Sequence, residues 1–461
     1  MFGFSVVVAS GACDLELALT QVGVLASVPF AGVFCAFPWG YYADTRGRLR
    51  ALLLSASVGF LMAALSSLSP NWQVLLVLKL FGCFFSTASM TLTMTYLGEC
   101  TISSVRNRYF MYMSAANLSS ECVFYLIAYF ILPLSFRIEI PFLSITYRSW
   151  RLYTFILAIP LGLGALMLLL LHESPKFLAS RGEAEKALKV LRAMYKANGG
   201  NEVDYPVKML IDDNVEATSE ISFWESLVKQ TVPLFKPPLL WRTLQLFYLM
   251  ALSCSNNNLF LMWYPVIANQ FFKSFETPGL EDKSFCDRVV ANLTGPTDSE
   301  GFICDDTIST NTIFAGILLG ITFGVLGLII ATLARWRQFL LIGIFASAAI
   351  CLLLTNILRQ PVMNMIVFTF IQDTAICIGL VASYFVDIYP TTHRALATSL
   401  SMLFTRIVSL GGVNLMGIVI VEHCIVTFYV CALYVSSGVL MSLFLPSEKK
   451  LHKQQQQQRK S

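Results

Sequence analysis

The sequence predicts an all-α polytopic membrane protein. Three observations carry this reading: 56% of residues are hydrophobic, only 13% are charged, and the mean hydropathy is +0.67. Apolar runs of about 20 residues recur along the chain, the length a helix needs to cross ~30 Å of hydrocarbon. The 461 residues would otherwise suit two or three soluble domains. The net charge of +4 is no nucleic-acid signal, because the basic residues lie in loops and the tail. A phosphate-binding loop is missing and the four His residues are scattered. Neither an enzyme, a nucleotide-driven pump nor a metal or other cofactor is expected.

Residues 1–13 are apolar but too short to cross, and read as the outer half of a first span. The expectation is a truncated first span: eleven full spans plus a stub. Spans follow near 21–41, 51–69, 73–97, 109–134 and 151–171, which puts the first helical half at 1–172. A charged segment, 173–238, reads as a cytoplasmic central loop with short amphipathic helices. In it Ala184, Leu188 and Leu191 recur at helical spacing, with Lys186, Lys189 and Arg192 between them. A second half, 239–446, holds spans near 242–268, 312–333, 338–357, 362–387, 396–420 and 424–445, with a polar outer loop at 269–310. The tail, 447–461, is rich in Gln and low in complexity.

Orientation follows from charge. Gly40 to Arg48 reads as a tight hairpin between two spans, and its arginines favour the cytoplasmic side. Alternation then puts Arg106, Arg108, the central segment, Arg335, Arg337, Arg394 and the tail inside. Both termini are cytoplasmic if the first span is complete. The outer loop contains Cys286, Cys304 and the sequon Asn292-Leu293-Thr294. Two cysteines and a sequon in one loop point to the oxidising side, so a Cys286–Cys304 disulfide and a glycan on Asn292 are expected. Most other cysteines fall inside apolar runs, where a thiol behaves as a small hydrophobe.

Short motifs repeat between the halves. Glu99 precedes Arg106 by the same interval that separates Asp387 from Arg394, each pair just after the fourth span of its half. Glu173-Ser174-Pro175 closes the sixth span and Leu445-Pro446-Ser447-Glu448 the twelfth. With Cys13-Asp14-Leu15, Trp39-Gly40 through Arg48, Ser149-Trp150-Arg151 and Trp263-Tyr264-Pro265, the chain resembles the major facilitator superfamily. Its look is closest to the branch of synaptic vesicle glycoprotein 2, organic-ion transporters and sugar porters. That resemblance implies a fold of two six-helix halves, alternating access, and a gating charge network of Asp44, Arg48, Glu99, Arg106, Glu173, Asp387 and Arg394. The alternative for these ions is ordinary surface charge. The second-half counterpart of the Asp44 hairpin, Ala334-Arg335-Trp336-Arg337, has neither Asp nor Gly.

Four ionisable residues fall within predicted spans: Lys79, Glu121, Asp373 and Arg406. A charge at the bilayer centre costs ~2.5–3.5 kcal/mol on insertion scales, so each should face the bundle interior or a wet cavity. Arg406 could meet a substrate carboxylate or make a structural ion pair with Asp373 or Glu121. The two acids are candidates to carry a coupling proton. Asn256, Asn257, Asn258 and Trp263 offer amides and an aromatic wall for a small organic solute, or bonds that pack helices. The expected function is secondary transport of such a solute, an organic ion among the options, in a plasma or vesicle membrane. The alternative is a transporter-shaped protein that no longer transports and serves trafficking or binding.

Overall fold

The computed structural model describes residues 3–32, 36–201, 204–210, 231–237, 239–275, 283–293, 307–333, 336–389 and 391–446. A buried short helix, α1 (Phe4–Ser10), leads to α2 (Leu19–Ala31) and α3 (Ala36–Arg46). The Ala18 N–H donates to Gln21 Oε1 (2.9 Å) and starts α2. Then come α4 (Arg48–Leu65), α5 (Trp72–Cys100), α6 (Ser103–Ile131) and α7 (Ser149–Leu168). The Asn71 side chain caps α5, accepting from the Val74 N–H at 2.9 Å. Between α6 and α7 a small antiparallel pair forms, β1 (Ile138–Ile140) with β2 (Ile145–Tyr147), Ile138 opposite Tyr147.

The central segment contains α8 (Pro175–Ser180) and α9 (Ala184–Ala197). Pro175 occupies the first turn of α8, where its missing N–H costs nothing, and Ser174 Oγ accepts from the Phe177 N–H. The second half comprises α10 (Leu240–Lys273), α11 (Phe285–Leu293), α12 (Thr310–Thr332), α13 (Arg337–Leu354), α14 (Pro361–Phe370), α15 (Thr374–Ile388) and α16 (Thr391–Leu443).

Among the described residues, seven helical segments are long and apolar enough to cross a membrane; Leu19–Ala31 and Ser119–Ile131 are shorter apolar helices. The outward faces agree with a lipid surround. Leu170 is 82% exposed and Leu433 74%, which water would penalise and acyl chains would not.

Two elements differ from the sequence expectation. The Gly40–Arg48 hairpin is not a loop: α3 runs through Arg46, and Gly47 alone separates it from α4. Gly47 has φ +113°, a region closed to most side chains, so one residue makes the corner. The span expected at 362–387 is present as one stretch, Pro361–Phe385, but a 3-10 turn, Ile371–Asp373, interrupts its regular geometry between α14 and α15. The last two spans, expected at 396–420 and 424–445, are two helices that meet at a kink at His423 (φ −132°, ψ 38°) within α16.

The halves meet along two seams. On α12, Gly316, Gly320 and Gly324 recur every fourth residue and face Tyr125, Cys122 and Ser119 of α6. A Cβ on Gly320 would collide with the Cys122 backbone nitrogen. At the other seam, a Cβ on Gly23 of α2 would lie 3.6 Å from Gly417 Cα of α16. Small residues are what let backbones approach this closely in lipid.

Candidate functional site

At one end of the first half, the α3–α4 corner is held by charge. Arg48, the first residue of α4, pairs with Asp44 (2.9 Å) and with Glu99 near the end of α5 (3.2 Å). Its guanidinium lies 4.9 Å from the Phe177 ring centre, and it donates to Ala43 O. Glu99 also accepts from Ser174 Oγ at 2.6 Å, tying α5 to α8. Glu173 accepts from the Leu49 N–H (2.9 Å) and from the Ser174 N–H (3.0 Å), so it caps the open N-terminus of α4. Arg181 donates to Thr45 O and closes the ring from α8 back to α3.

The second half repeats the central pair. Arg337, the first residue of α13, meets Asp387 near the end of α15 at 2.5 Å, and donates to Ser383 Oγ at 2.9 Å. Its guanidinium covers the Tyr384 ring at 4.0 Å. These described pairs all join residues of one half. The side chains of Arg106 and Arg394 lie outside the described residues.

Among the spans, each half contributes a cation that lies over an aromatic ring. Lys79 of α5 lies over the Phe4 ring (4.8 Å) and Arg406 of α16 over the Phe30 ring (5.7 Å). Cys83 is within electrostatic reach of both. Among the described residues, no ion pair joins Arg406 to Glu121 or Asp373. Glu121 is buried within reach of Tyr125 and Tyr153. Asp373 sits in the helix break and interacts with Cys351 of α13 and Cys377 of α15.

The amides of α10 do structural work. Asn256 Nδ2 donates to Ile371 O and to Thr374 Oγ1, both at 3.1 Å, and so braces the broken span. Asn258 Nδ2 donates to Ser409 Oγ (3.0 Å), and Trp263 Nε1 to Val413 O (3.0 Å), both on α16. Trp263 is fully buried against Gly23 and Gly417, so it packs the seam. Asn257 is buried, and its Oδ1 has no hydrogen-bond partner among the described residues.

The expected disulfide is corrected: Cys286 is bonded to Cys424, with Cα atoms 5.8 Å apart. The reason is that 285–293 is a helix, α11, docked on the bundle end. Phe285 is fully buried among Phe271, Phe368 and Phe428, which turns Cys286 toward the bend of α16. Cys304 and the Asn292 side chain lie outside the described residues.

The sequence profile of the Major Facilitator Superfamily matches residues 1–279. The chain belongs to the major facilitator superfamily. Mouse synaptic vesicle glycoprotein 2C is 26% identical over 245 residues, covering 49% of this chain and 32% of that protein. The chain therefore spans about a third of the length of that relative. Synaptic vesicle 2-related protein of Pongo abelii is 24% identical over 442 residues, covering 95% of this chain and 73% of that protein. Among solved structures, the inward-open xylose transporter XylE of E. coli aligns with TM-score 0.65 at 13% identity, covering 97% and 94% of the two chains. The nucleoside transporter NupG aligns with TM-score 0.59 at 14% identity, covering 95% and 93%. At such identities the likeness shows the fold: an all-α, multi-pass membrane protein of a transporter family.

Within this family fold, two clusters were not evident from the sequence. Arg337 stands in a stretch without the Asp and Gly of its first-half counterpart. It nevertheless holds the place of Arg48, the first residue of a helix facing an acid near the end of a later helix in the same half. At the other end of the first half, Asp14 gathers Arg148 (3.3 Å), Arg151 (2.8 Å) and the Trp150 indole N–H (3.1 Å). Arg151 is 2% exposed and also donates to Ser69 O at 2.6 Å. Asp14 and Trp150-Arg151 are both visible as motifs; their pairing needs the fold.

Proposed function

We propose that this chain is a secondary transporter that moves a small organic anion by alternating access. The observation that supports it most directly is that Lys79 and Arg406, one from each half, both lie within electrostatic reach of Cys83. Cations contributed by both halves hold an anion differently as the halves rock, which is the differential binding that transport needs. Arg406 carries the fixed charge and meets the carboxylate; Lys79 adds a second, mobile charge. Glu121, buried near two tyrosines, is the candidate for a coupled proton.

The inner clusters serve this cycle by stiffening the rims. Asp44, Arg48, Glu99 and Glu173 lock the α3–α4 corner to α5 and α8, while Arg337 and Asp387 lock α13 to α15. Each half then moves as one body, and motion is confined to the glycine seams. The protein sits in a vesicle or surface membrane, with both termini cytoplasmic if the first span is complete, and Asn292 carries a glycan on the face opposite the central loop.

The test is uptake into liposomes holding the purified chain, with a panel of carboxylates and a matched panel of neutral sugars. Carboxylate uptake should be saturable, and Arg406→Gln should reduce it by at least about tenfold, the cost of ~1.4 kcal/mol. Uptake of sugars alone would remove the anion assignment. No uptake of either class by folded protein would leave the non-transporting, binding role in its place.

A further inference from the structure

Outside the transport path, the outer face holds a polar cleft of about 460 Å³ between α11 and the turn joining α13 to α14. Lys283, Ser284 and Asp287 line one wall, and Asn356 and Arg359 the other. Its size lies within the range of small-ligand sites. Each wall carries one cation, Lys283 or Arg359, and the single carboxylate, Asp287, shares the wall of Lys283. Asp287 is partly engaged already, accepting from Ser284 Oγ at 2.8 Å. Asn356 is the telling residue: Nδ2 and Oδ1 are both buried, and neither has a hydrogen-bond partner among the described residues. Buried amides are rarely left without partners, and a small rotation of this one toward the cleft it lines would bring both a donor and an acceptor to a guest.

The walls are fixed. The Cys286–Cys424 bond and the burial of Phe285 among Phe271, Phe368 and Phe428 hold α11 against the bundle. Both walls belong to the second half, so rocking of the halves leaves the cleft intact.

We infer that this cleft is a binding site for a small organic anion, whose carboxylate is held by Lys283 and Arg359 while its hydroxyl or amide meets Asn356. The site is separate from Lys79 and Arg406, and it reads the outer medium in every transport state.

Calorimetric titration of the purified full chain with citrate, at low ionic strength where surface charge is least screened, tests this. Saturable binding is expected. Lys283→Gln and Arg359→Gln should each weaken it about tenfold, the scale of one charge-assisted hydrogen bond. Asn356→Ala should also weaken it, whereas Asp287→Asn should tighten it by removing a like charge. Monodisperse elution and an intact Cys286–Cys424 bond establish that each variant is folded. Three results would overturn the inference: no citrate binding at millimolar concentration, equal binding of the uncharged triethyl ester, or binding that is lost in Arg406→Gln and kept in Lys283→Gln and Arg359→Gln.

Discussion

Gly47 shows how much one residue can decide. Its φ of +113° makes the corner between α3 and α4, and a Cβ there would collide with Glu173 Oε2. Gly40, one element earlier, lies inside α3, and a methyl group added there would meet nothing within 4 Å. The two glycines of one motif therefore have opposite sensitivities. Gly47→Ala should cost about 1–2 kcal/mol from backbone strain and more from displacing Glu173 off the α4 N-terminus. Gly40→Ala should be neutral or gain up to ~1 kcal/mol from helix propensity. Thermal midpoints in detergent, read by fluorescence size-exclusion, compare them; equal midpoints would show that Glu173 does not hold this corner. Both glycines were legible in the sequence, but only the backbone reveals which one turns the chain.

At the level of elements, the sequence was a good guide to helices that pack one face and a poor guide to contacts made across the fold. Runs such as 73–97 and 338–357 lie within α5 and overlap α13 closely, because apolar length alone dictates them. The break at Ile371–Asp373 carries no Pro or Gly to announce it; it is braced from another helix by Asn256. The disulfide failed for a similar reason. Cys286 and Cys304 share a loop in sequence, but α11 turns Cys286 to Cys424 across 138 residues. Non-reducing peptide mapping should recover the Cys286–Cys424 pair and still recover it in Cys304→Ser. Cys286→Ser and Cys424→Ser should each lower the thermal midpoint, by the ~2–4 kcal/mol typical of a disulfide. A Cys286 thiol that becomes free in Cys304→Ser would restore the loop pairing.

For the molecule as a whole, the seams decide whether the halves can work as two bodies. Polar clusters sit within each half, as Arg48–Glu99 and Arg337–Asp387 do, while small residues line the contacts between halves. This division gives stiff bodies joined by close backbone contact at the glycines, with Trp263 and the Tyr125–Tyr264 pair packing across the joint and no described ion pair bridging it. The sequence carried the glycine stripe of α12 in plain view, but its meaning depends on α6 lying opposite. Gly320→Val puts a branched side chain where the Cys122 backbone already stands, and overpacking of this kind costs about 1–3 kcal/mol. Gly343 of α13, with open space around it, takes the same change freely. We therefore expect Gly320→Val to abolish carboxylate uptake and to raise labelling of Cys122 by a membrane-permeant thiol reagent, while the Cys286–Cys424 bond and monodisperse elution persist. Gly343→Val should leave uptake and labelling unchanged. If Gly320→Val transports normally, α6 and α12 do not need close backbone approach during the cycle, and the seam is packing alone.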